Sequence, residues 1–355
     1  MIEKIIFQGE IPSSFFEIPL RIYQNNAFYK SENSIRLLEL FKEESKRNEI
    51  ILYTDHQNIR LVGFFPENEN MAYAGFWETT DDLTLNKTLF EQFLKDIRKK
   101  NIPQLIAPIN FNTYQPYRLP LDLPVWKPFS GEPSAPLYYA QILLALGFEV
   151  HTSFESRLLR KEQIALLYQN KQKILSNLAD IPFNIIPLYP AIWQKYEKEI
   201  FVLTEAIFSA NPFYRKISWE QFSAIYNHQF AKKLCPHSAV LFQEKKTNTL
   251  AAMSLCMPDY GYAPNLKENY TFAEDYPNLS SKILLAKSVG VLPSYRVQNL
   301  MNYLAAYAML SFQNYYDEII FCTMRSDNLS LRFSDAFPHE TSKYALFSKM
   351  FSKTL

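Results

Sequence analysis

At 355 residues the chain is long for one ordinary domain and suits two of about 150–180 residues each. A net charge of +1 gives no electrostatic ground for nucleic acid or an anionic membrane as partner, and only 7 glycines argue against a glycine-rich dinucleotide fold. Cys235, Cys256 and Cys322 are scattered without a C-x-x-C pair, so they suggest neither a disulfide framework nor a zinc site, and no metal is expected.

The chain opens with an expected strand, Lys4–Phe7, and a helix over Ser34–Arg47. Glu49–Thr54, Asn58–Phe65 and Met71–Trp77 read as apolar strands, followed by a helix over Lys87–Lys100 with Leu89, Phe90, Phe93, Leu94 and Ile97 on one face. Leu105–Asn110 is a further strand, and Leu137–Leu146 a helix closed by Gly147. Between them the Pro-rich, aromatic stretch Tyr114–Ser134 has the length of a lid or binding loop. Phe154–Leu159 is a strand and Lys161–Leu178 an amphipathic helix, after which the order of elements begins again at Ile181–Leu188. Helices over Ile192–Phe208 and Trp219–Lys232 precede a hairpin of Ala239–Gln243 and Leu250–Met257. An aromatic loop, Pro258–Pro277, leads to an apolar strand over Lys287–Leu292, a turn at Pro293–Tyr295 and a helix from Val297. Glu318–Thr323 is the following strand. No basic-then-apolar leader opens the chain and no apolar run nears the ~18 residues of a membrane span, so a cytoplasmic setting without membrane contact is the expectation.

Two stretches carry a resemblance. Ala107-Pro108-Ile109-Asn110-Phe111-Asn112, followed by Pro136-Leu137-Tyr138-Tyr139 through Leu146-Gly147-Phe148, resembles the amino-terminal half of a group of bacterial tandem-GNAT-like proteins. That group has a GPMNFS-like box and a later PPYY…LGF segment. The second stretch is the turn. The GNAT acyltransferase superfamily holds the acyl-CoA pyrophosphate in V-x-P-x-x-R-x-x-G-x-G/A, read here as Val291, Pro293, Arg296, Asn299 and Met301. Asn299 and Met301 stand where the family has small residues, and the second could narrow the approach to a phosphate. The turn is also compatible with the strand–turn–helix of any α/β domain.

The resemblance implies an α/β (α+β) protein of two tandem GNAT-like domains, each a mixed, mostly antiparallel sheet flanked by helices. The expected bounds are 1–160 for a degenerate amino-terminal domain, 161–180 for a connector helix and 181–355 for the domain with the acyl-thioester site. It implies acyl-CoA, or an acyl-carrier-protein thioester, as cosubstrate with no tightly bound cofactor. Backbone N–H groups around Val289 and Val291 would hold the oxyanion. Those of Val297, Gln298, Asn299 and Met301 would hold pyrophosphate beside Arg296, and Asn328 would meet the pantetheine arm. Asn328 could equally cap a short helix over Leu329–Phe333. Asp335 stands where the family often has a tyrosine acid, leaving Tyr344 of the last strand as the alternative.

Amine attack on a thioester calls for a base near neutral pKa. Asp259 and Glu318 are the candidates carried forward, with Glu274, His237 and His339 behind them. None has a diagnostic spacing, and each also reads as a surface or loop residue. Asn110, Phe111 and Asn112, with Tyr260 and Tyr262, are the expected acceptor-side residues; the two asparagines could instead satisfy loop backbone. The expected activity is acyl transfer to an amine or hydroxyl of a small, partly apolar or aromatic acceptor. The alternatives are an aminoacyl-tRNA-dependent transferase, which the absence of a basic stripe disfavours, and a non-catalytic ligand- or partner-binding protein of the same fold.

Overall fold

The computed structural model describes residues 1–26, 29–265, 267–328, 331–332 and 334–351. In chain order the elements are β1 Glu3–Ile6, α1 Ser13–Ile22, α2 Ser34–Glu44, β2 Asn48–Thr54, β3 Ile59–Pro66, β4 Ala72–Thr79, α3 Leu83–Lys99, β5 Gln104–Ala107, β6 Leu119–Pro120, α4 Tyr138–Ala145 and β7 Glu149–Arg160. There follow α5 Lys161–Leu175, β8 Phe183–Pro187, α6 Pro190–Phe208, α7 Trp219–Ile225, α8 His228–Lys233, β9 Val240–Glu244, β10 Leu250–Ser254, β11 Met257–Pro258, α9 Phe272–Asp275, β12 Ile283–Ala286, β13 Gly290–Val291, α10 Leu300–Tyr315, β14 Glu318–Arg325 and β15 Glu340–Met350. α1 is an element the sequence reading did not anticipate.

The contacts group the chain into two compact units that do not follow chain order. Unit 1 comprises Met1–Leu123, Pro133–Phe154 and Lys343–Leu355; unit 2 comprises Pro124–Glu132 and Glu155–Ser342. The connector helix expected at 161–180 appears as α5, which lies in unit 2 and packs on α10.

Unit 1 is a mixed sheet in the order β1-β2-β3-β4-β5-β15-β7. β1 to β4 are antiparallel neighbours, while β4 and β5 run parallel through only two pairs, Ala72–Leu105 and Tyr73–Ile106. The chain's last strand enters beside β5, with Phe347 opposite Ala107. α3 starts where Asp82 accepts a hydrogen bond from Leu85 N at 2.9 Å, and it buries Leu89, Phe90, Phe93 and Ile97 on the sheet. Gly63 of β3 makes room for this, since a Cβ there would meet the Phe93 ring at 2.4 Å. α4 ends at Gly147 (φ 77), whose conformation lets the N–H groups of Gly147 and Phe148 return to Leu144 O and Leu143 O.

Unit 2 holds an antiparallel sheet in the order β13-β10-β9-β8 and a second row, β11-β12-β14-β7. α6 and α10 pack on β10. The single helix expected over Trp219–Lys232 is two, α7 and α8. Asn227 interrupts it by accepting from Phe230 N at 3.0 Å, which caps α8. Both units are mixed, mostly antiparallel sheets with flanking helices.

Candidate active site

The chemistry-bearing geometry of unit 2 begins where two parallel strands part. β12 pairs with β14 from Ile283–Glu318 to Ala286–Phe321, and there the pairing ends. Residues 287–289 leave the ladder, with Ser288 in a left-handed conformation (φ 48), and β13 resumes against β10 through Gly290–Met253 and Val291–Ala252. The continuous strand expected over Lys287–Leu292 is therefore split: β12 ends its pairing with β14 at Ala286–Phe321 and β13 pairs with β10 in the other sheet, a parting called the V below. A Cβ on Gly290 would meet Ile207 Cγ2 at 2.4 Å, so glycine is what lets α6 press against this strand. On the other arm, Thr323 (φ 43) donates its N–H to Ser156 Oγ at 2.9 Å.

The turn differs in detail from the sequence expectation. Pro293–Gln298 form a 3-10 helix, and α10 starts at Leu300 rather than Val297. Val297 and Gln298 thus precede the helix that was to present their N–H groups, and Val297 is 90% exposed. Between the two helices Asn299 adopts φ 58, the conformation for which glycine is the usual residue. Asn is the side chain that tolerates it best, and its amide receives the Asn302 side chain. The substitution of Asn299 for a family glycine is therefore conformationally conservative. Met301 does not narrow the approach: it packs inward against the cluster of Val291, Leu300 and Leu304. Arg296 is exposed at the turn, with its guanidinium 3.3 Å from Val291 O and 3.5 Å from Ile207 O.

The side chains proposed as acid or base do not gather at the V. Glu318 opens β14 at the opposite end of the strand pair, roughly 10 Å of strand from Phe321, and faces Arg160 at 3.5 Å. Asp259 lies beside that same end, its N–H donating to Ile283 O at 2.8 Å. It is buried, one oxygen accepting from Gly261 N at 3.0 Å and Oδ2 having no partner. Burial pushes its carboxyl up to about 6, against the pull of the Gly261 N–H, Lys287 and Lys127. Tyr344 is fully buried in β15, opposite Pro120 in unit 1, so it is not a group of the unit that carries the turn. Asp335 is held by Arg157 at 2.7 Å. Asn328 is exposed just after β14, and residues 329, 330 and 333 of the helix expected behind it lie outside the described residues. His237 stacks on Tyr315 at 3.9 Å, and burial lowers its pKa. His339 Nδ1 is 2.7 Å from Phe337 O, and Glu274 is exposed on α9. Tyr260 is buried, donating to Lys233 O at 2.8 Å and stacked on Tyr270, whereas Tyr262 is half-buried with Lys127 Nζ 4.7 Å from its ring centre.

The equivalent parting in unit 1 is closed. After Tyr73–Ile106 the next turn of chain folds back into the gap. Ile109 N donates to Ala74 O at 2.8 Å, and Asn110 Oδ1 accepts from Phe76 N at 2.6 Å. Gly75 permits this approach, because a Cβ would fall 2.1 Å from Ile109 O. Phe111 is fully buried among Phe41, Phe64 and Phe76, and Asn112 is buried with its oxygen accepting from Tyr114 N at 3.0 Å. These two are internal rather than cleft-lining, a correction that follows from the gap being filled by their own segment.

Sequence reasoning marked Tyr114–Ser134 as a lid or binding loop, but it missed Lys287 and the docking of the loop's Pro124–Glu132 strap, which belongs to unit 2. Trp126 and Phe129 are buried on Ile283, Leu285 and Ile320, and Lys287 Nζ donates to Ser130 O at 2.9 Å. The aromatic richness of the loop was the available signal; its docking place was not. Among the described residues no group of three or more His, Cys, Asp or Glu is placed to hold a metal, and no helix is long and apolar enough to cross a membrane.

No protein-family model and no curated protein matches the chain. Solved structures do. A GCN5-related glucosamine N-acetyltransferase region of a fungal multi-domain GH3 β-N-acetylglucosaminidase superposes with a TM-score of 0.51 at 10% identity, covering 98% of this chain and 38% of that one. A conserved Enterococcus faecalis protein, named a probable N-acyltransferase, gives 0.50 at 8% identity, over 99% of this chain and 73% of its own. A tandem GNAT protein of the clavulanic acid biosynthesis pathway gives 0.49 at 11% identity, over 99% and 98%. At such identities the likeness concerns the path of the chain and not the reaction. The chain has a GNAT-type fold, and the similarity extends across both of its compact units.

Proposed function

We propose that unit 2 transfers an acyl group from a CoA or carrier-protein thioester to the amine or hydroxyl of a small acceptor. One observation carries this reading: the parallel pair β12–β14 parts at Ala286–Phe321 and leads through a turn into α10, while the matching gap of unit 1 is filled by Ile109 and Asn110. A parted strand offers its backbone to a linear thioester arm. The first N–H groups of α10, beyond Asn299, point toward an anionic head with the helix dipole behind them.

For an amine acceptor, the nitrogen lone pair attacks the thioester carbon. The C–N bond forms, the C–S bond breaks, and the nitrogen's proton goes to the departing thiolate directly or through solvent. Backbone N–H groups of the Val289–Val291 stretch are the proposed oxyanion donors. Asp259 and Glu318 sit at the other end of the strand pair, so this reading assigns neither as base. Asn110 and Arg157 act in the scaffold.

A second reading, a binding protein of this fold without catalysis, is favoured by Asp335, which occupies the expected acid position but is committed to Arg157. A thermal-shift titration with CoA tests both: a ligand at 100 times its Kd adds about 2.7 kcal/mol of stability. Absence of saturable binding up to millimolar CoA, together with no binding of pantetheine thioesters, overturns the proposal. Binding without thiol release in the presence of amines favours the second reading.

A further inference from the structure

We propose that the Pro124–Glu132 strap is a displaceable plug in an acyl-chain trough, so that the thioester handled by unit 2 carries a medium-length or aromatic acyl group rather than acetyl. The inference rests on the acyl-thioester reading above and deepens it.

The trough is one face of the β11–β12–β14 row. Ile283, Leu285 and Ile320 point to it, with Met257 and Cys322 beside them, and Trp126 and Phe129 cover it. Its open end is the V, because Leu285 is followed on the same face by Lys287, the first residue past the last β12–β14 pair. An acyl chain whose carbonyl lay at Val289 would therefore run into the space the two rings occupy. Rings inserted from a loop without regular structure can be replaced by a ligand of similar apolar area at little net cost in burial.

The strap is built to dock and release as a piece. Glu132 organises it from within, accepting from Trp126 Nε1 at 2.9 Å and from Phe129 N at 3.3 Å. Those bonds travel with the strap when it lifts. A polar tie to the strand is at its tip, where Lys287 Nζ reaches Ser130 O at 2.9 Å and lies 5.5 Å from the Phe129 ring centre, and Lys127 Nζ lies 4.7 Å from the Tyr262 ring centre. Gly131 is shaped for that contact: its φ is 83, and a Cβ would stand 2.8 Å from Lys287 Nζ. The latch thus sits on the residue that the arriving thioester would meet. Closing over the chain afterwards would exclude water from the reacting carbonyl.

The test is calorimetric titration of the full chain with CoA, acetyl-CoA and decanoyl-CoA, repeated on Phe129→Ala and Gly131→Ala. Each buried methylene tightens binding roughly fourfold, so decanoyl-CoA is expected to bind at least about tenfold more tightly than acetyl-CoA after the strap is displaced. Phe129→Ala empties part of the trough and should widen that preference, while leaving CoA itself unchanged. Gly131→Ala loosens the latch and should raise decanoyl-CoA affinity without touching the trough wall. If decanoyl-CoA and acetyl-CoA bind alike in all three proteins, the trough is wrong although the thioester site stands. Should no thioester or CoA bind any of them, the underlying site assignment fails as well.

Discussion

Asn110 Oδ1 accepts the backbone N–H of Phe76 at 2.6 Å, across the point where β4 and β5 separate. Phe76 is a non-glycine residue at φ 47, so its peptide is turned out of the ladder and its N–H needs a partner from elsewhere. In unit 1 that partner is a side chain of the protein. In the acyl-transfer reading of unit 2, the corresponding backbone is left for a ligand.

Removing this partner should be felt in stability. Asn110→Ala leaves a buried N–H unsatisfied and is expected to cost about 1–3 kcal/mol. Gly75→Ala should cost about 3 kcal/mol, because its Cβ would meet backbone at 2.1 Å, which cannot rotate away. Urea denaturation measures both. Equal, small effects would mean that the segment is loosely held and the gap is not closed.

At the turn, Asn299 and Arg296 separate conformation from charge. Asn299→Gly should be neutral in stability within about 0.5 kcal/mol, whereas Asn299→Val, β-branched at φ 58, should lose roughly 1–3 kcal/mol. Arg296→Ala should fold normally yet weaken CoA ten- to a hundred-fold, as for a charge-assisted bond worth ~1.5–3 kcal/mol. Met301→Gly should lose stability through its core contacts. Unchanged CoA affinity in Arg296→Ala would remove the turn from the binding site.

Asp259 makes stability depend on pH. Its carboxyl is held up at about 6 against an ordinary 3.8. Well below pH 3.8 the group is neutral in folded and unfolded chains alike, and from there to about pH 6 only the unfolded chain ionises. As pH rises through about 6, the folded state must carry a buried charge that the unfolded state carries in water. Relative to Asp259→Asn, the wild type should therefore lose about 2–3 kcal/mol between pH 4 and pH 7, from a shift of roughly two units at ~1.36 kcal/mol each. Denaturation curves at the two pH values give the difference directly. A constant gap between the proteins would show that Oδ2 is solvated.

Most of the elements are legible in the sequence because their causes are local. The apolar stripe of α3, the Gly147 stop and the break at Pro293 lie within a few residues of what they control, whereas α3 starts at Leu83 and α10 at Leu300 rather than at the expected Lys87 and Val297. The fold class is what the resemblance to GNAT-like proteins implies, carried by Ala107–Asn112, Pro136–Phe148 and Val291–Met301. The sequence did not show where the parallel strands part, or what fills the gap. Those depend on partners distant along the chain: Phe76 with Asn110, Lys287 with Ser130, Phe347 with Ala107. β-Pairing and side-chain docking at such separations leave no periodicity to read, since each partner is an ordinary residue in its own neighbourhood. Only tertiary structure decided that Ile109 and Asn110 close a gap, that Phe111, Asn112 and Met301 turn inward and that Tyr344 lies in unit 1, because burial belongs to the packed chain rather than to any one stretch of it.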